Sequence, residues 1–223
     1  MSMRETLEEI MNNRLNTAFC SEADFQFTLA WKIKEDSKGR VVILEYPEQK
    51  KDRIIYYDIY VREQSGEAHL IELKYRTKKL KDDITRHGNG FKLKNQGAQP
   101  IGRYLFFKDI SRLEHQHIAN LCSYCIMLTN DPSYYNQNDN AESGIDKEFK
   151  IGNGNKIKKG EHSWAEGTSP SITSKFPDLK DKKNLEHDYD VVWKKYPCGY
   201  EGFKYLLLEI PPAGDNQQED NSK

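Results

Sequence analysis

Two acids stand inside runs of apolar residues. Asp58 lies in Ile54-Ile55-Tyr56-Tyr57-Asp58-Ile59-Tyr60-Val61, and Glu72 lies in Leu70-Ile71-Glu72-Leu73-Lys74-Tyr75. An isolated buried carboxylate costs several kcal/mol, so each needs a cation, a proton or a cluster of donors. Side chains alternate along a strand, so Leu70, Glu72 and Lys74 share a face, with Glu72 and Lys74 about 6.6 Å apart at Cα. If the two runs pair, Asp58 lies about 4.8 Å across from the second. Two carboxylates and an ammonium would then converge, which suits Mg²⁺: it accepts one or two carboxylates, keeps waters and bridges to phosphate oxygen. Such an ion lowers the pKa of bound water and neutralises charge on a phosphoryl group, while the lysine orients or deprotonates the attacking water. The competing reading is plain: an Asp in an apolar strand is often simply hydrogen-bonded, and an E-x-K pair is often a cross-strand ion pair on a solvated face.

Positioning these groups requires a helix and three strands. A first amphipathic helix is expected over 4–19, from Leu7, Ile10, Met11, Leu15 and Ala18 at helical spacing. A second is expected over 21–34, capped by Ser21 with Asp24 returning a bond as in a capping box. On its face Glu22, Phe25, Gln26, Leu29 and Ile33 fall together, so Glu22 heads a stripe of core residues and becomes a third possible ligand, directly or through water. Strands follow at 41–46, 53–62 and 68–75, the last two joined by the short polar link Glu63-Gln64-Ser65-Gly66-Glu67 as a hairpin. A helix over 97–116, with Pro100 in its first turn, and a buried strand over 121–129 complete the set.

From Ser133 to Lys183 the chain is polar, with short strands expected near 148–151. Two more strands are expected at 189–196 and 203–210, with Tyr189, Trp193, Phe203 and Tyr205 in the core. Cys122-Ser123-Tyr124-Cys125 has zinc-knuckle spacing, but residues three apart in a strand face opposite ways. His115 and His117 near a helix end are read as surface residues, and Gly152-Asn153-Gly154 lacks the third glycine of a dinucleotide fingerprint.

Between Leu70 and Lys94 eight basic residues (Lys74, Arg76, Lys78, Lys79, Lys81, Arg86, Lys92 and Lys94) face three acids, for a local net charge of +5. Beside a metal site this patch would neutralise nucleic-acid phosphates; a solvated loop is the alternative. Gly88-Asn89-Gly90 reads as a mobile loop near the site. Over all 223 residues the formal net charge is −1, which excludes a generally basic nucleic-acid coat. The mean hydropathy of −0.88 and the want of a long apolar run exclude a membrane span. Four scattered cysteines and an N-terminus without an apolar core lead us to expect a reducing, cytoplasmic setting.

Asp58, then Glu72-Leu73-Lys74 after thirteen intervening residues, with Glu22 on an upstream helix, resembles the PD-(D/E)XK nuclease superfamily of restriction endonucleases, Holliday-junction resolvases and RecB-type exonucleases. The resemblance covers about the first 130 residues. It implies an α/β fold of restriction-endonuclease-like type: a core of α-β-β-β-α-β order forming a mixed central sheet flanked by helices, here with a C-terminal β-rich elaboration. It further implies that Asp58 and Glu72 bind Mg²⁺ or Mn²⁺, that Lys74 is the catalytic lysine and that Glu22 is the accessory acid. Tyr57 precedes Asp58 where many members have proline. The Gln and Tyr that RecB-like members carry four residues apart correspond loosely to Gln99 and Tyr104, five apart, with Gln96 nearby.

The organisation expected is a core over 1–132, a long polar excursion over 133–183, C-terminal strands packed on the core over 184–212 and a disordered tail over 213–223. The expected activity is Mg²⁺-dependent hydrolysis of DNA, with Arg76, Lys78, Lys79, Lys81, Gln96 and Gln99 on the nucleic acid; a homodimer would suit double-strand cutting. The alternative is a catalytically inactive nucleic-acid-binding or protein-interaction module on the same fold.

Overall fold

The computed structural model describes residues 1–51, 53–86, 88–116, 118, 121–136, 144–166 and 177–211. The tail expected over 213–223 and His117 lie outside them. Helix α1 (Met3–Glu9) opens on a full capping box: Ser2 Oγ accepts from Glu5 N, and Glu5 Oε2 accepts from Ser2 N at 2.8 Å. It runs into a π-turn over Ile10–Arg14 and stops short of the expected Phe19, because Asn16 enters the left-handed region at φ 42°. Helix α2 (Glu22–Asp36) is capped by Ser21 Oγ, 3.1 Å from Asp24 N. Asp24 does not complete a capping box; its carboxylate accepts from Cys20 N and ion-pairs with Arg86. Phe25, Leu29 and Ile33 are buried as their spacing requires.

Strands β1 (Val41–Gln49), β2 (Ile54–Arg62) and β3 (Ala68–Arg76) form an antiparallel meander. The segment that follows holds a small hairpin, β4 (Ile84–Arg86) and β5 (Asn89–Phe91). Helix α3 (Gln99–Glu114) then crosses over to β6 (Leu121–Thr129), which lies parallel to β3. With the small β4–β5 hairpin set aside as an insertion outside the main sheet, the elements from Glu22 to Thr129 follow the order α-β-β-β-α-β. Asn89 and Gly90, read from the sequence as part of a loop, lie on β5 of this hairpin, while Thr85 N donates to Tyr200 Oη and Arg86 is held by Asp24.

After a single turn α4 (Pro132–Tyr135), the excursion contributes short strands β7 (Lys156–Ile157), β8 (Gly160–His162) and β9 (Lys183–Leu185). Residues 147–149 form a 3₁₀ turn rather than a strand. The run 189–196 splits into β10 (Tyr189–Asp190) and β11 (Trp193–Lys195), because the intervening Val191 bonds through its backbone to Gly154 and Asn155. The last strand, β12 (Lys204–Ile210), pairs along its length with β6. Strands β11 and β12 thereby extend the main sheet, which has six strands in the order β1-β2-β3-β6-β12-β11, while β9 and β10 pair with β8 and β7 in separate two-stranded sheets.

This mixed sheet is covered on both faces. Helices α1 and α2 pack with Ile71, Leu73, Tyr75, Ile126 and Tyr205 in one layer. Helix α3 packs with Leu70, Met127, Leu206 and the excursion in the other. Tyr189, Trp193, Phe203 and Tyr205 are all buried. Cys122 packs on the first layer and Cys125 in the second, as strand alternation demands. Among the described residues no helix is long and apolar enough to cross a membrane.

Gly102 of α3 lies under Tyr134, so a Cβ there would sit 2.1 Å from Tyr134 Oη. We expect Gly102→Ala to lose about 1–3 kcal/mol of stability from overpacking despite its better helix propensity. Urea unfolding of Gly102→Ala, with and without Tyr134→Phe, checks this; the double variant should recover part of the loss.

Candidate active site

The ladder between β2 and β3 pairs Arg62 with Ala68 and proceeds to Ile59 with Ile71, where it ends. One step further Asp58 would face Glu72. Instead the strands part, and side chains take over the exposed backbone donors of β3. Asp58 Oδ2 accepts from Leu73 N at 2.6 Å, and Glu22 Oε2 accepts from Tyr75 N at 2.6 Å. Two carboxylates from different elements therefore line one edge of β3.

The departure of β2 has a local cause. The β1–β2 ladder skips the position of Glu45 and Asp58, and Glu45 adopts φ 49°, a left-handed conformation that a non-glycine residue holds at a cost of about 1–3 kcal/mol. Gln26 Nε2 clamps the irregularity, donating to Glu45 Oε1 and to Asp58 O, each at 2.7 Å. Strict alternation would put Tyr57 and Ile59 on one face, yet Tyr57 packs in the α3 layer and Ile59 in the α1–α2 layer. The strand turns over at Asp58, which frees its carboxylate to lie along the edge.

Glu72 and Lys74 point to the α3 side, and α3 meets them with two charges that the sequence reading missed. Lys74 Nζ ion-pairs with Asp109 Oδ2 and donates to Leu73 O at 3.1 Å. Arg112 Nη2 ion-pairs with Glu72 Oε1 and lies 3.3 Å from Asp109 Oδ1. The only signal for this pair is an acid and a base three apart on a helix face otherwise occupied by Phe106, Ile110 and Leu113.

Four acids (Glu22, Asp58, Glu72 and Asp109) thus share this region with two cations. Burial pushes the Asp58 carboxyl up to about 6, against the pull of Lys74 and of the Leu73 N–H. Glu72 is raised well above the usual carboxylate range by burial first, then by Asp109 and Asp58, against Arg112. Burial works against the charge on Lys74, but Asp109, and after it Glu22, Glu72 and Asp58, hold its ammonium above the ordinary lysine range. The site is short of positive charge, and its donors are hard oxygens, the set a magnesium-like ion takes. It is not a finished ligand cage: among the described residues no three His, Cys, Asp or Glu side chains are grouped to hold a metal.

The expected nucleic-acid contacts divide. Gln96 Oε1 accepts from Thr77 N at 2.7 Å, and Gln99 Nε2 donates to Asp131 Oδ2 at 2.8 Å, so both amides serve the ends of β3 and β6. Lys74 is internal to the site, Arg86 is tied to Asp24, and Arg76 is half-buried. Lys78, Lys79, Lys81, Lys92 and Lys94 are exposed; Lys78 leans towards Asp131 at 3.7 Å and Lys92 towards Asp83 at 3.9 Å. The patch is thinner than the sequence count, because Lys74 and Arg86 are spent on internal partners.

No family model matches the sequence, and neither a curated protein nor a solved structure matches the chain.

Proposed function

We propose that this chain is a Mg²⁺-dependent nuclease of restriction-endonuclease-like fold that hydrolyses DNA phosphodiesters with an activated water. The observation that carries the reading is the Asp58 carboxylate seated on the peptide N–H of Leu73, inside Glu72-Leu73-Lys74, where β2 and β3 part. The element order from Glu22 to Thr129 agrees with that fold. Asp58 and Glu72 would hold the ion; once bound, it would supply an activated water and charge neutralisation at the phosphate. Asp58 is oriented by the Leu73 N–H, and Glu22 is fixed beside it by the Tyr75 N–H. Lys74 lies between Leu73 and Tyr75, whose N–H groups seat this pair, and its side chain turns to the α3 side with its ammonium kept charged, suited to orient water or to stabilise an oxyanion. The exposed Lys78, Lys79 and Lys81 would track backbone phosphates.

A second reading, a non-catalytic nucleic-acid-binding module, is favoured by one observation: Lys74 and Glu72 are both engaged by α3. The experiment is cleavage of labelled single- and double-stranded DNA with Mg²⁺ or Mn²⁺, with chelator as control. Turnover that vanishes with chelator and returns with added metal is the expected result. Salt-sensitive binding with no turnover in either metal would replace the first reading with the second.

A further inference from the structure

Beside Phe107 of α3 the excursion encloses an open cavity of about 740 Å³, the size of a small-molecule site, and none of the candidate active-site residues lines it. Five lysines do: Lys147, Lys150, Lys156, Lys158 and Lys159, all from one stretch of thirteen residues. Only two acids join them, and both are engaged elsewhere. Glu148 Oε2 accepts from Ser163 N at 2.6 Å, and Glu161 Oε1 pairs with Lys182 Nζ at 2.6 Å. Lys150 is tied to Asp146 at 2.9 Å. Lys156 leans towards Asp190 and Asp188 at 3.7 and 3.9 Å, and Lys158 towards Asp188 at 3.5 Å. Lys147 and Lys159 are exposed and pair with no acid among the described residues. The walls are fixed by the buried His162 ring, whose Nδ1 lies 3.0 Å from Glu148 O and whose Nε2 lies 2.7 Å from Lys158 O. Phe107 meets that ring edge-on at 5.0 Å, and the β7–β10 and β8–β9 ladders hold the rim from behind.

We propose that this cavity binds a small anion carrying several phosphate groups, independently of the candidate active site. Like charges gathered in a concave site repel one another, and the potential they focus draws a polyvalent anion. Each ammonium offers a compact charge and three rotatable donors, which suits phosphate oxygens. The residues behind them, Phe107, Ile157 and His162, are buried and present no exposed ring face, so the phosphates and not a stacked base are what the site reads. The lysines converge on one cavity instead of following a stripe along the surface, which favours a compact ligand over a nucleic-acid backbone. The β-ladders and the His162 bridge hold the walls in place without a ligand, so binding orders little besides the lysine side chains.

The test is titration calorimetry of the full chain with inorganic tripolyphosphate and with ATP, in chelator so that no divalent metal takes part. Both probes are expected to bind, and more weakly as salt is raised. Equal affinities mean that the phosphates alone are recognised; tighter ATP means that the nucleoside adds contacts, and either result supports the proposal. Replacing two charges, Lys147→Gln with Lys159→Gln, should weaken both probes by about 5- to 100-fold. Lys51→Gln, at an exposed position outside the cavity, should leave both unchanged. Absence of binding at about 1 mM of either probe overturns the proposal. So does binding that the double variant leaves intact. A short labelled DNA strand that binds through these lysines while both small probes fail assigns the surface to nucleic acid and overturns the small-ligand reading. Cleavage assays on Asp58 and Glu72 variants are unaffected by any of these outcomes, so the nuclease reading stands or falls separately.

Discussion

Asp58→Asn is expected to abolish cleavage and, at neutral pH, to make the protein more stable. On the proposed nuclease function cleavage should fall by more than about 100-fold, because the variant would lose a charged ligand where phosphate charge would be neutralised. The stability gain follows from the environment of Asp58. In the folded chain this carboxyl holds its proton up to about pH 6, against 3.8 for the ordinary group. Between these values the folded state binds more protons than the unfolded chain, so stability falls as pH rises through that window and stays low above it. The contribution is at most about 3 kcal/mol at neutral pH. Asparagine is neutral at every pH and retains an oxygen for the Leu73 N–H, so it removes the penalty and keeps the bond. Calorimetry at pH 4.5 and 7.5 should show a melting-temperature advantage for Asp58→Asn that grows with pH. Cleavage within tenfold of wild type would remove Asp58 from the mechanism, and an advantage that shrinks with pH would contradict the buried carboxylate.

Glu114→Ala is expected to be among the most destabilising single changes. Glu114 is fully buried at the C-terminal end of α3, where the helix dipole disfavours an acid. It is kept there by three donors from the segment that follows the excursion: Glu186 N at 2.9 Å, His187 N at 3.1 Å and Tyr189 Oη at 2.6 Å. Truncation leaves the buried Tyr189 Oη and two part-buried peptide N–H groups without this acceptor and should cost about 3–5 kcal/mol. Tyr189→Phe, which removes a single donor, should cost about 1 kcal/mol. Chemical denaturation gives both numbers, and hydrogen exchange should show residues 183–190 losing protection first in Glu114→Ala. A loss under 1 kcal/mol would mean that the segment around 183–190 docks on α3 by apolar contact alone.

Much of the architecture is written locally. Apolar alternation places β1 to β3 and β6 within a few residues of their ends, Ser21 starts α2, and Pro100 marks the first turn of α3. These features depend on neighbours in the chain, where backbone geometry repeats every 2 or 3.6 residues. Local reading failed where a contact from afar intervened. Val191 interrupts the expected 189–196 strand to bond with Gly154 and Asn155, whereas the early end of the first helix at Asn16 is a local turn of the backbone.

The same division runs through the candidate site. The sequence by itself determined that two acids and a lysine sit on adjacent apolar strands below a helix headed by Glu22, because burial of a charge within an apolar run demands a compensating partner. Only the tertiary structure decided what those partners are. Asp58 and Glu22 take backbone donors of β3 because β2 leaves them open, while Lys74 and Glu72 take Asp109 and Arg112 from a helix more than thirty residues away. Charge compensation acts through space over a few ångströms, and no periodicity in the chain records which remote side chain will arrive within that distance.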